Sequence, residues 1–304
     1  MTGRWIWPAM AMASLSMATV PASAAGDART LAPSGDWALG SDAESCWISR
    51  QFGTTEDGVS FRLQTFAPSR SYRVVLRGKP LPQRDSGVLE FDFRFEPDEA
   101  SISRMGILGK RNGVPVVTFT STLETSAEAG DPTAINVDAA RTAAIREFVI
   151  QFSRGRPLAL QLGPLTEVVA QLDACSLGLL AGWGLDPAAQ QSLTQRVVPI
   201  DQARWLAPGT YPYEYLRNSR SLMVNLRMLV DAQGTPTECV VQAPRTETGS
   251  EQLACREIMK TARFEPARDV AGNPVPSYYA TTIFYYTRRW NGPINRGGNM
   301  PGGQ

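Results

Sequence analysis

Residues 222–286 decide the fold: LMVNLRMLVDAQGTPTECVVQ (222–242), a polar break, TGSEQLACREIMKTARFEPARDVAGNPVP (248–276), then SYYATTIFYY (277–286). Val224, Leu226, Met228 and Val230 recur at every second position, the period of a strand with one buried face, and residues 231–234 supply a turn. The returning strand, 237–242, sets Cys239 and Val241 on one face and Val240 on the other. Thr248 and Glu251 stand at capping-box spacing. Ala254, Cys255, Ile258, Met259 and Ala262 follow at helical period, so a helix turns an apolar stripe to the sheet with Cys255 on or beside it. Gly272, Asn273 and Pro274 mark a loop before a last strand, 278–286, rich in aromatic and β-branched residues. The order is β-β-α-β.

Several of these residues form a pattern. Tyr211-Pro212 ahead of the hairpin, Val230-Asp231 followed by Gly234, the run from Ala262 through Arg263, Phe264, Glu265 and Pro266 to Ala267, Gly272 with Pro274 and Val275, and the closing strand together resemble the C-terminal domain of the TonB family. These energy transducers couple an inner-membrane motor to outer-membrane receptors. The resemblance covers about the last third of the chain and is silent on the rest. It implies a protein-binding module in outer-membrane transport, with a TonB-dependent outer-membrane receptor as partner. In the last strand Tyr278, Ala280, Thr282 and Phe284 alternate with Tyr279, Thr281, Ile283 and Tyr285, and one set packs on the helix. The functional reading gives the strand an open edge that accepts an extended peptide by β-augmentation, flanked by Tyr211 and Pro212 as the resemblance implies. A structural dimerisation module, with a homodimer as its assembly, is the bland alternative. The family's anchor carries a histidine and leads into a Pro-rich spacer; here a folded β-rich region takes that place, which favours partner contact over force transduction.

The N-terminus, MTGRWIWPAMAMASLSMATVPASAAG, has one positive charge at Arg4, an uncharged apolar run to Val20, and the small-x-small pattern Ala22-Ser23-Ala24. It reads as a signal peptide, residues 1–24, cleaved near Ala24 on the way to the periplasm. Pro8 interrupts the run, which is short for the roughly 20 apolar residues of a spanning helix. The four cysteines are an even set in an exported chain, so two disulfide bonds are expected. Of three connectivities, the hairpin and helix favour Cys239 with Cys255, which leaves Cys46 for Cys175. The shorter bridge closes a loop of about 15 residues, worth about 3 kcal/mol. A metal site is the rival use of these cysteines, but there is no CxxC pair and no histidine.

Residues 36–196 read as a β-rich α+β domain of unassigned role. Phe61, Leu63 and Thr65 alternate, as do Tyr72, Val74 and Leu76, and Leu89, Phe91, Phe93 and Phe95. Further strands are expected at 116–120, 148–152 and 158–162, helices at 136–146 and 165–180, and a polar turn at 121–131. The second helix carries Leu165, Val168, Val169, Leu172, Cys175 and Leu179 on one side, within reach of a strand-borne Cys46. A connector with Trp205, Tyr211, Tyr213 and Tyr215 opens the TonB-C-like domain, 197–290, and is expected to pack along it. The tail, 291–304, reads as disordered. The fold class predicted is therefore α+β: a β-rich α+β N-terminal domain followed by a small β-β-α-β domain.

Composition limits the chemistry. With 30 basic and 29 acidic residues in short scattered clusters, charge gives no case for nucleic acid. The absence of histidine removes Ser-His-Asp and Cys-His nucleophiles and HExxH zinc sites. Lys79, Lys110 and Lys260 lie in no SxxK pattern, and there is no phosphate-binding glycine loop, so no cofactor is expected. Paired acids such as Glu96 with Asp98, or Asp231 with Glu238, leave one enzymatic alternative, an exported cell-wall hydrolase; surface and turn roles are the simpler reading. The leading expectation is a non-enzymatic periplasmic binding protein.

Overall fold

The structure, a computed structural model, describes residues 28–84, 86–124, 135–206, 221–243 and 252–285. The signal peptide, most of the 121–131 turn, Tyr211 and Pro212, the Thr248/Glu251 capping box and the tail lie outside them.

The expectation of an α+β protein is corrected. Strands take 47% of the described residues and helices 18%. One sheet of ten strands dominates. Its strands are β1 (Arg29–Leu31), β2 (Ala38–Ser41), β3 (Cys46–Phe52), β4 (Val59–Thr65), β5 (Ser71–Gly78), β6 (Gly87–Glu96), β7 (Ile102–Arg111), β8 (Val114–Thr122), β9 (Glu147–Phe152) and β10 (Leu158–Gln161). Their order is β1-β10-β9-β6-β7-β8-β5-β4-β3-β2. Every expected strand is present, and β1, β2 and β7 are new; in β7, Gly106, Gly109, Lys110 and Arg111 hide the alternation, and pairing with β6 and β8 on both sides supplies what the side chains do not signal.

The sheet curls until its ends meet. β1 runs parallel to β10, and the chain that follows it bridges β3 through Pro33 and Phe52, with Ser34 N–H donating to Gln51 and Gly53 N–H to Ala32. Alternate residues therefore share an enclosed interior. Phe61 on β4 lies 5.3 Å, ring to ring, from Phe148 on β9, although four strands separate them in the sheet, and Phe93, Phe119 and Phe148 complete the cluster. Such ring contacts add about 1 kcal/mol each beyond the area they bury.

Helix α1 (Ala139–Ala144) is capped by Asp138, whose carboxylate accepts from Ala140 N–H, and α2 (Thr166–Gly182) lies along β2 and β3. Val169, Leu172, Leu179 and Leu180 are buried from α2, and Cys175 is bonded to Cys46 with Cα atoms 6.1 Å apart. A short α3 (Pro187–Gln191) follows.

The C-terminal third has its expected order. β12 (Leu222–Val230) and β13 (Pro236–Gln242) form the hairpin, α4 (Gln252–Thr261) covers it, and β17 (Ser277–Tyr285) returns beside β12 in a sheet ordered β13-β12-β17. Small ladders surround this core: β11 (Val198–Ile200) pairs with β14 (Arg263–Glu265), and β15 (Ala267–Arg268) with β16 (Pro274–Val275). The described part of the connector packs here, Trp205 lying 5.0 Å from Phe264 and 5.8 Å from Tyr279; Tyr213 and Tyr215 lie outside the described residues. Cys239 and Cys255 are bonded with Cα atoms 5.6 Å apart, within the range that strand and helix faces were expected to allow. At the hairpin turn Gly234 has φ +77°, and a Cβ there would fall 1.9 Å from the Phe264 carbonyl oxygen, so only glycine fits. No helix among the described residues is long and apolar enough to cross a membrane.

One expectation about β12 changes. It reads as a strand with one buried face, yet Asn225 and Arg227 on the other face are 7% and 3% exposed. The outer wall of the ten-stranded sheet covers them.

Candidate functional site

The interface between the two sheets is polar and closely paired. Register places Gln242, Asn225 and Thr282 in one row across β13, β12 and β17, on the face toward the larger sheet. Arg73 of β5 reaches the row through the Asn225 amide oxygen while its guanidinium stacks 4.4 Å from the Phe66 ring, and the Asn225 amide donates to Thr282 at 3.1 Å. Gln242 donates to the Phe66 carbonyl at 2.6 Å; its own amide oxygen is buried without a hydrogen-bond partner among the described residues. One turn of strand away Arg227 makes a two-armed pair with Glu44 at 2.9 and 3.0 Å, reaches Glu238 at 3.5 Å, and lies 4.6 Å from the Trp183 ring. Burial opposes the charge of Arg227, but the hydrogen bonds and charges of Glu44 and Glu238 outweigh it and hold the guanidinium more firmly protonated than usual.

Tyr278, Ala280, Thr282 and Phe284 share the face toward the larger sheet, because their neighbours Tyr279, Thr281, Ile283 and Tyr285 face α4. Tyr278 is fully engaged there: its hydroxyl donates to the Pro68 carbonyl at 2.8 Å and its ring meets Trp183 edge-on at 5.6 Å. Burial pushes the Tyr278 and Tyr279 hydroxyls up to about 12, so both remain neutral donors. Tyr211 and Pro212 lie outside the described residues.

What remains open is the edge of β17. Among the described residues β12 is its one strand partner. A cleft of about 100 Å³ reaches from beneath the sheet, where Asn225 and Gln242 line it, to β17, and both alternating sets of that strand touch it: Tyr278, Ala280 and Thr282 from one face, Tyr279 and Thr281 from the other. A space bounded by both faces of one strand lies against its backbone edge, where N–H and C=O groups point. Ser69, Ser71, Thr120, Ile135, Arg196 and Val197 form the far wall. Sequence reasoning had the strand and its alternation, but nothing in residues 66–73 signals that the β4 to β5 turn faces it.

The acids considered for hydrolysis are all used elsewhere. Glu96 pairs with Arg94 and Asp98 with Arg141, Asp231 accepts the N–H groups of Gln233 and Thr235 in the hairpin turn, and Glu238 faces Arg227. Lys260 pairs with Glu257. Among the described residues no three acids, cysteines or histidines cluster as a metal site would need. Comparison with protein-family models, with curated proteins and with solved structures found no match.

Proposed function

We propose that this is an exported, periplasmic and non-enzymatic binding protein that takes an extended peptide as an added strand on β17. The observation that carries the reading is that β17 has β12 as its one strand partner among the described residues, with a cleft touched by residues 278–282 of both strand faces. Main-chain pairing would supply affinity, and the Tyr279 and Thr281 side against the Tyr278 and Thr282 side would set register. Two points favour binding over chemistry. Among the described residues no carboxylate lines the cleft, and Tyr278 and Tyr279 stay neutral near neutrality. The two disulfides suit an oxidising compartment. Resemblance to the TonB C-terminal domain makes TonB-box peptides of outer-membrane receptors the first ligands to try.

Titration of the isotopically labelled full chain with such peptides should move amide resonances at 278–282 and along the far wall. Methylating alternate peptide amides should abolish binding, whereas added salt should change it little, since screening acts on charge pairs. Absence of any shift at about millimolar peptide, where even weak augmentation is populated, would sink the reading.

A further inference from the structure

At the other end of the ten-stranded sheet the ladder is incomplete. β9 stops at Phe152, opposite Phe91, and the 153–157 turn leads into β10, so residues 87–90 of β6 have β7 on one side and, among the described residues, no strand on the other. A cleft of about 1050 Å³ opens there. It is at the upper limit of the roughly 300–1,000 Å³ usual for small-molecule sites. Leu89, Leu108, Phe152 and Leu158 give it an apolar wall. Arg84, Arg154 and Arg156 stand exposed on its rim, and among the described residues they have no ion-pair partner and no acid lines the cleft. Arg29, the fourth arginine of the cleft, is already paired with Asp57 at 3.0 Å.

We propose that this cleft binds an anionic amphiphile, a molecule with a phosphate head and an apolar body. Three like charges around one concavity repel each other unless an anion joins them, and the low-dielectric wall focuses their potential into the opening. The planar guanidinium fork matches phosphate oxygens two at a time. The apolar wall sets the other half of the ligand: a bare ion would leave the partly exposed Leu89 facing water, whereas an acyl or other hydrocarbon portion covers it beside the buried Leu108, Phe152 and Leu158. The site is independent of the peptide edge. β5 begins at Ser71, on the wall of the β17 cleft, and ends at Gly78, just before Pro80 of this one. At about 3.3 Å per residue the strand holds the two clefts roughly 25 Å apart.

Calorimetric titration of the full chain with monomeric dihexanoyl phosphatidic acid tests this. Binding is expected, with inorganic phosphate and dihexanoyl phosphatidylcholine each weaker by about tenfold or more, because the first lacks the apolar body and in the second the choline ammonium cancels the charge of the phosphate and blocks one of its oxygens. Arg154→Glu with Arg156→Glu should weaken the phosphatidic acid by about tenfold or more and leave both the melting temperature and peptide binding at β17 unchanged, since these side chains are exposed. Arg84→Gln serves as a milder second variant with a smaller loss. No heat with phosphatidic acid at about millimolar concentration, equal affinity for inorganic phosphate, or unaltered binding in both variants would each overturn the proposal.

Discussion

The ten-stranded sheet turns its apolar row inward on itself, ring against ring, whereas the three-stranded sheet covers one face with α4 and takes the outer wall of its neighbour for the other. The first interface is dry and aromatic, built by Phe61, Phe93, Phe119 and Phe148. The second is made by Arg73, Asn225, Gln242, Arg227 and Glu44, each oriented by a hydrogen bond or ion pair. Apolar burial is tolerant of small displacements; a buried ion pair is not, because separating the partners leaves a desolvated charge. The polar interface therefore fixes where the small sheet sits, and with it the position of the β17 edge over residues 69–73.

The largest test of that contrast compares the disulfides. Cys46–Cys175 closes a loop of 129 residues within the large sheet and its helix, Cys239–Cys255 one of 16 within the small domain. Loop-closure entropy gives about 5 kcal/mol for the first and about 3 kcal/mol for the second. Denaturant unfolding of the two double-alanine variants should lose stability in that order, and the reverse order would mean that the small sheet is the more dependent on its staple.

Next in size is the ion pair. Glu44→Ala leaves Arg227 buried with only the longer contact to Glu238, at a cost of about 3 kcal/mol. Arg227→Met should cost less, because the Glu44 left behind is partly exposed and Met keeps contact with Trp183. Thermal unfolding of both variants decides it, and equal losses would show that packing rather than charge sets the interface.

Gly234→Ala should cost about 2 kcal/mol, since the added Cβ meets the Phe264 carbonyl in a left-handed backbone conformation. Its effect should stay in the small domain, with amide exchange accelerating around residues 231–235 and 263–265 but not in β3 to β9.

The smallest effect belongs to the large sheet. Burial pushes the Asp173 carboxyl on α2, near the buried Tyr72, up to about 7. The unfolded chain releases that proton at an ordinary carboxyl pKa, so stability falls as pH rises from about 4 to about 7. Asp173→Asn should gain on the order of 1 kcal/mol at about pH 8, after discounting for solvent screening, and nothing at about pH 4. A pH-independent difference would place the carboxyl in water.

Periodicity determined much of the protein before any fold was known. Alternation in 61–65, 72–76 and 89–95 specified strands because a side chain's face is fixed by its place in the pleat, and strand and helix faces brought Cys239 to Cys255. Tertiary structure decided what pattern does not encode. Curling of the sheet, which makes β-structure rather than an α+β balance the character of the chain, depends on pairings such as Pro33 with Phe52 between segments that carry no mark of each other. The same holds at the candidate site. Sequence named Tyr278, Ala280, Thr282 and Phe284 as one set, but only packing turned that set to the large sheet and left the backbone edge beside it facing a cleft, since a strand's faces are local and its neighbours are not.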